Sequence, residues 1–259
     1  MQTPVISTSF SVALILVLTA CDSTTSDDVS TSDLYAEISI NFDAGSDSAR
    51  VDASLYKLRN VLFNNRTYIE LICPDMLVAN SSTQQGSMVL RQNKDFYNEV
   101  YYYRDIYGEA GDIFTVSLLR DADHTSAESS NVIIPDNFSI SAPLAGSYSR
   151  RSGLNVSWTP SGSSYDTAIL VSGICIDSYS VDINGDPGTY TIPANALILS
   201  YYPEPDAPNY NDGNLYTDTR TCPIQIHVSK KSTGTLDQAF RGGRIVGYNS
   251  SEVTVSSYY

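Results

Sequence analysis

From Leu34 onward, apolar and polar residues alternate along most of the chain. In Tyr35–Phe42, the residues Ala36, Ile38, Ile40 and Phe42 share one face while Glu37, Ser39 and Asn41 take the other, which predicts a half-buried strand. Similar segments follow near 51–56, 67–73, 87–91, 97–104, 112–120 and 130–134, separated by turn-forming clusters such as Asn64-Asn65 and Asn80-Ser81-Ser82. After Pro135-Asp136 the pattern resumes at Phe138. Leu154, Val156 and Trp158 point one way, and further strands are predicted at 166–176, 178–183, 188–192, 196–201, 222–230, 243–248 and 252–257. No segment carries a convincing helical period. Short strands at this spacing predict an all-β protein of two sandwich domains, 34–136 and 137–259.

The first 33 residues do not follow this pattern. An apolar run, Phe10–Leu18, is too short to span a bilayer but suits the central region of a signal peptide. It ends in Leu18-Thr19-Ala20-Cys21, where small residues let a peptidase reach the backbone. This stretch resembles the lipobox of bacterial lipoproteins, and the resemblance implies that residues 1–20 are a leader and that Cys21 is lipidated and begins the mature chain. One departure is that no Lys or Arg precedes Arg50. Residues 22–33 hold one large apolar side chain and four acids, too little apolar surface to offset ordering entropy, so 21–33 are expected to form a disordered acidic linker. A free segment of that length reaches about 20 Å. The implied location is the bacterial cell envelope, anchored by lipid on Cys21 to the inner or the outer membrane.

Composition narrows the partners. The formal net charge is −14, which repels a phosphate backbone and argues against nucleic acid. Charged residues make up only 17% of the chain while tyrosine reaches 19 copies, a balance suited to strands with polar outer faces.

Beyond Asp136 a second resemblance emerges. Phe138-Ser-Ile-Ser-Ala-Pro143, Leu154-Asn-Val-Ser-Trp158-Thr-Pro-Ser-Gly162 and Gly188-Thr-Tyr-Thr-Ile-Pro-Ala-Asn-Ala-Leu197 are similar to immunoglobulin-like or fibronectin-III-like modules, with Trp158 in the place of their inward tryptophan. A fainter echo in the first half is Gly111-Asp-Ile-Phe114. The whole chain resembles uncharacterised lipoproteins of Gram-negative, often marine, bacteria, which implies tandem immunoglobulin-like domains and an envelope location but no activity.

With Cys21 given to lipid, Cys73, Cys175 and Cys222 are left, an odd number. Cys175 and Cys222 both lie in strand-like segments of the second domain and are expected to pair. Cys73 follows Ile69 and Leu71 on one strand face and reads as a buried thiol.

Candidate chemistry is sparse. Asp182-Ile-Asn184-Gly-Asp186 resembles the opening of a Ca²⁺ loop, with oxygen side chains at alternate positions, but Pro187 stands where glycine is expected and no closing Glu follows. The segment reads either as a turn between strands or as a Ca²⁺ site; no other cofactor is indicated. His124 and His227 have no Cys or second His near them in sequence. No nucleophile elbow, phosphate-binding glycine loop or zinc-protease motif occurs, so no catalytic residue is assigned. Tyrosines recur in Tyr97–Tyr107 and again at Tyr201, Tyr202, Tyr210 and Tyr216 in a proline-rich loop. Such loops make good recognition surfaces for a protein or glycan, because tyrosine gives rigid contact area at low entropic cost. The expected role is a non-catalytic binding or structural module. The alternatives are an envelope hydrolase using loop carboxylates and a subunit of a surface assembly.

Overall fold

The alternation of the sequence is realised as strands. The computed structural model describes residues 24–60, 65–97, 99–121, 124–200 and 221–258. Among the described residues there is no α-helix, only single 3-10 turns at Ser26–Asp28 and Thr31–Asp33. The strands of the first half are β1 (Thr24–Thr25), β2 (Tyr35–Asp43), β3 (Ser48–Asn60), β4 (Asn65–Glu70), β5 (Met76–Ser81), β6 (Met88–Val89), β7 (Arg91–Lys94), β8 (Val100–Tyr107), β9 (Ile113–Leu119) and β10 (Ala127–Ile133). The second half adds β11 (Ser139–Ala142), β12 (Ser147–Ser149), β13 (Leu154–Thr159), β14 (Asp166–Gly173), β15 (Ile176–Ile183), β16 (Thr189–Ile192), β17 (Cys222–Thr233) and β18 (Gly242–Tyr258).

One large sheet of 11 strands forms the back of the molecule, in the order β1-β4-β3-β2-β18-β17-β14-β15, with β8 and β7 beside β3 and β12 beside the end of β18. Two small sheets cover its inner face: β10-β9-β5-β6 in the first half and β11-β13-β16 in the second. The inward residues of β2, Ala36, Ile38, Ile40 and Phe42, pack in one core with Val51, Ala53 and Leu55 of β3 and with Leu77, Phe114, Val116 and Leu118 of the covering sheet. Val156 and Trp158 of β13 pack in the other core with Ile169, Val171, Ile224, Ile226 and Val228. Alternation is strict where one face is dry and the other wet, since a slip of one residue would turn every apolar side chain outward.

Three expectations are corrected. The division expected at 136 is crossed by the returning chain. Phe240 and Ile245 are buried in the first core while Val255, on the same strand as Ile245, is buried in the second. β18 also joins the halves directly, pairing in parallel with β2 over Gly242–Ser250 and antiparallel with β17 over Val246–Ser257. Its length was missed because two predicted strands, 243–248 and 252–257, are one.

The second correction concerns the linker. Residues 24–33 are ordered: β1 pairs in parallel with Ile69–Glu70 of β4, and Ser26, Val29 and Thr31 are buried. Arg120, whose side chain is fully buried, donates to the carbonyls of Ser26 (2.6 Å) and Val29 (2.7 Å) and to Thr31 Oγ1 (3.3 Å) while pairing with Asp75 at 2.9 Å. A count of apolar side chains overlooks this, because the groups that hold the segment are backbone carbonyls answering one distant arginine.

Third, Cys73 is exposed. β4 ends at Glu70 and the chain turns, with Asp75 N donating to Ile72 O at 2.8 Å, so the strand face on which the thiol was placed does not extend that far. The other two cysteines, Cys175 and Cys222, form the expected disulfide, with Cα atoms 6.4 Å apart. Closing a loop across 47 positions stabilises by about 4 kcal/mol in the chain-entropy account.

Candidate functional site

The outer face of the large sheet carries rows of polar and aromatic side chains. Its rows follow from the register. Arg244, Glu37 and Ser54 lie side by side across β18, β2 and β3; Val246, Ser39, Asp52 and Tyr103 form the next row; Tyr248, Asn41, Arg50 and Asp105 the one after. Ser54 beside Glu37 and Ser39 beside Asp52 leave one small outward residue in each of the first two rows, whereas tyrosines stand on either side. The result is an open groove of about 320 Å³ with Tyr101 of β8 at one wall, Tyr248 and Arg244 of β18 at the other, and Glu37, Asn41 and Asp52 along it.

The rings on the β8 side of this groove are held in place. Tyr101 and Tyr103 stack at 5.8 Å, Arg50 lies 4.1 Å over the Tyr103 ring, and Asn93 Nδ2 donates to the Tyr101 hydroxyl at 2.8 Å. One row further along, Tyr35 stacks on Tyr56 at 5.6 Å, Tyr56 meets Tyr68 at 6.2 Å, and Arg66 lies 4.3 Å over Tyr56. Such stacks and cation–π contacts fix ring orientation before any ligand arrives.

The charges of the groove are compensated internally. Glu37 accepts hydrogen bonds from Arg244 Nε at 2.8 Å and from the Tyr56 hydroxyl at 3.3 Å, with Arg66 3.9 Å away. Asp52 accepts from Arg50 Nε at 3.1 Å. The hydrogen bond and charge of Glu37 push the Arg244 guanidinium above its ordinary value. Burial raises the Tyr56 hydroxyl, with the nearby Arg66 charge working the other way. A surface of this kind offers hydrogen-bonding groups and flat rings but no net charge for a charged ligand to answer.

The residues singled out from the sequence fall elsewhere. Asp182 and Asn184 are exposed, whereas Asp186 turns inward and its carboxylate is fully buried. Asp186 Oδ1 accepts from Trp158 Nε1 at 2.6 Å, and Oδ2 accepts from Ser163 Oγ at 2.7 Å and lies 2.8 Å from Lys230 Nζ. Those oxygens are spent, and the adjacent ammonium opposes a cation, so the three side chains do not act as one site. His124 Nδ1 lies 2.7 Å from Asp121 and His227 Nδ1 lies 3.3 Å from Glu252. Among the described residues no cluster of three or more His, Cys, Asp or Glu side chains could hold a metal. Cys21 and the loop tyrosines Tyr201, Tyr202, Tyr210 and Tyr216 lie outside the described residues.

Of the groove residues, the outward positions of β2 were visible in the alternation, and Tyr101 in the tyrosine-rich run. Arg244 and Tyr248 were not, because nothing local announces that the last strand lies beside the second. No family model matches the chain, and no curated protein is significantly similar to it.

Proposed function

We propose that this protein is a lipid-anchored, non-catalytic binding module of the bacterial cell envelope, held to the inner or outer membrane through Cys21 and taking a neutral glycan chain in the groove between β8 and β18. The observation that carries the reading is the groove itself: a pre-set Tyr101 ring at one wall and Tyr248 at the other, hydroxyl, amide and carboxylate groups between them, and charges already paired within the protein. A sugar ring presents an apolar face to a tyrosine and hydroxyls at its edge, so it matches such a lining without bringing charge. The lipobox residues Leu18–Cys21 support the anchor, and the Cys175–Cys222 disulfide supports an oxidising compartment. The two cores are taken as tandem immunoglobulin-like sandwiches on the strength of the Trp158 region. Glu37 and Asp52, the carboxylates of the groove, are each tied to arginine, which favours binding over the hydrolase alternative.

Titration calorimetry with neutral oligosaccharides of the β-1,4-glucan, β-1,4-xylan and α-1,4-glucan series tests this. Binding to at least one series is expected, and Tyr101→Ala and Tyr248→Ala should each weaken it about tenfold, the order of a moderate contact hot spot. No binding to any series, or equal binding by both variants, removes the groove reading.

A further inference from the structure

The docked start of the described chain constrains how the molecule sits on its anchor. Thr24 pairs with Ile69 at the edge of the large sheet, and Ser26 Oγ accepts from Ile72 N at 3.1 Å. Arg120 then fastens Ser26, Val29 and Thr31 from beneath. Ten of the twelve residues expected to act as a tether are therefore committed to the fold. Only Asp22 and Ser23 stand between Cys21 and Thr24 in the sequence. Three Cα–Cα steps of about 3.8 Å each allow a separation of at most about 11 Å, roughly half the typical reach of a free twelve-residue linker.

We propose that the β1–β4 edge, together with the turn Ile72-Cys73-Pro74 beside it, is the surface laid against the lipid bilayer. This rests on the reading of Cys21 as the lipidated residue. The length of chain between that residue and the fold is the first argument. The second is the chemistry of the turn: Ile72, Cys73 and Pro74 are all exposed and uncharged in a chain of net charge −14, and the neighbouring Glu70 is paired with Lys94 at 2.8 Å; the exposed carboxylates nearby, Asp27 and Asp28, belong to the 3-10 turn after β1 and not to this one. A bilayer repels an acidic protein least where it meets such a patch. The opposite edge, β15, lies seven strands away, roughly 30 Å at ordinary strand spacing. The groove lies between the two edges and is thereby held beside the membrane at a fixed height.

The test uses the full lipidated chain in vesicles of phosphatidylcholine and phosphatidylglycerol carrying a headgroup energy-transfer acceptor. A donor dye is placed on the exposed Cys73, or on Ser180→Cys of β15 in a Cys73→Ser background. Transfer from position 73 should exceed that from position 180 by about twofold or more, given their separation across the sheet. A Gly/Ser insertion of twelve residues between Ser23 and Thr24, which leaves the docked segment intact, should bring the two values together. Mass spectrometry of the N-terminal peptide separates the premises. A chain without acyl groups overturns the anchor reading and this proposal together, whereas a lipidated chain with equal transfer from both positions, or with position 73 unaffected by the insertion, overturns the proposal alone.

Discussion

Asp186 illustrates how far a single side chain can be read from its neighbours in sequence. Its spacing from Asp182 and Asn184 suggested a cation site, whereas its partners are Trp158, Ser163 and Lys230, brought to it by two other strands and a loop. Removing its charge by Asp186→Asn leaves the Lys230 ammonium buried without a counter-charge. The expected cost is about 3–5 kcal/mol in urea unfolding followed by Trp158, the single tryptophan of the chain. Burial by itself would raise the Asp186 carboxyl, but hydrogen bonds from Lys230, Trp158 and Ser163 outweigh it and hold it below the usual range. A carboxyl depressed in the folded state contributes stability that is fully present above its unfolded value, about 3.9, and lost as pH falls through the folded one. The parent protein should therefore lose Trp158-reported stability below about pH 4, and the asparagine variant should lack that part of the decline. The Cys175–Cys222 pair was legible because both residues belong to one half, although Cys175 sits in the turn between β14 and β15 and only Cys222 lies in a strand. The exposure of Cys73 was not, because it depends on where β4 stops.

Strands were legible wherever one face is dry and the other wet, as in β2, β13 and β17. β5 was missed: its burial runs in a block at Leu77–Ala79, so no alternation marks it, and its last residues, Asn80 and Ser81, are turn formers by type. The N-terminal segment was missed for the opposite reason, since its polar side chains conceal a backbone that bonds to Arg120. Glycine marks the place where β18 meets β2. Gly243 adopts φ 118°, and a Cβ there would overlap the carbonyl of Ala36 on the neighbouring strand. Gly243→Ala is expected to cost more than about 2 kcal/mol in thermal or urea unfolding, combining an unfavourable φ with a backbone clash. Gly45→Ala provides the comparison. Its φ is 89° with nothing within 4 Å of the added carbon, so only the conformational term of about 1 kcal/mol applies.

The β17–β18 hairpin makes the two cores one cooperative object. It supplies Phe240 and Ile245 to the first and Ile224, Ile226, Val228 and Val255 to the second. Thermal unfolding followed by Trp158 fluorescence, which reports the second core, should coincide with loss of the far-ultraviolet β signal of the whole chain. A polypeptide of residues 24–136 should fail to give a cooperative transition, since β2 would lose its nine-residue pairing with β18 and the core two of its buried side chains. Independent melting of the halves, or a stable 24–136 fragment, would refute this. The parallel pairing of β2 with β18 also bears on the order in which the chain is made. β2 ends at Asp43, yet its partner β18 begins only at Gly242. At 5–20 residues per second, about 10–40 seconds pass with the Ile38–Phe42 strand bare along one edge, the kind of edge that recruits other chains. This edge of β2 can thus be closed only once β18 has been made, and whatever carries the chain until then must cover that strand.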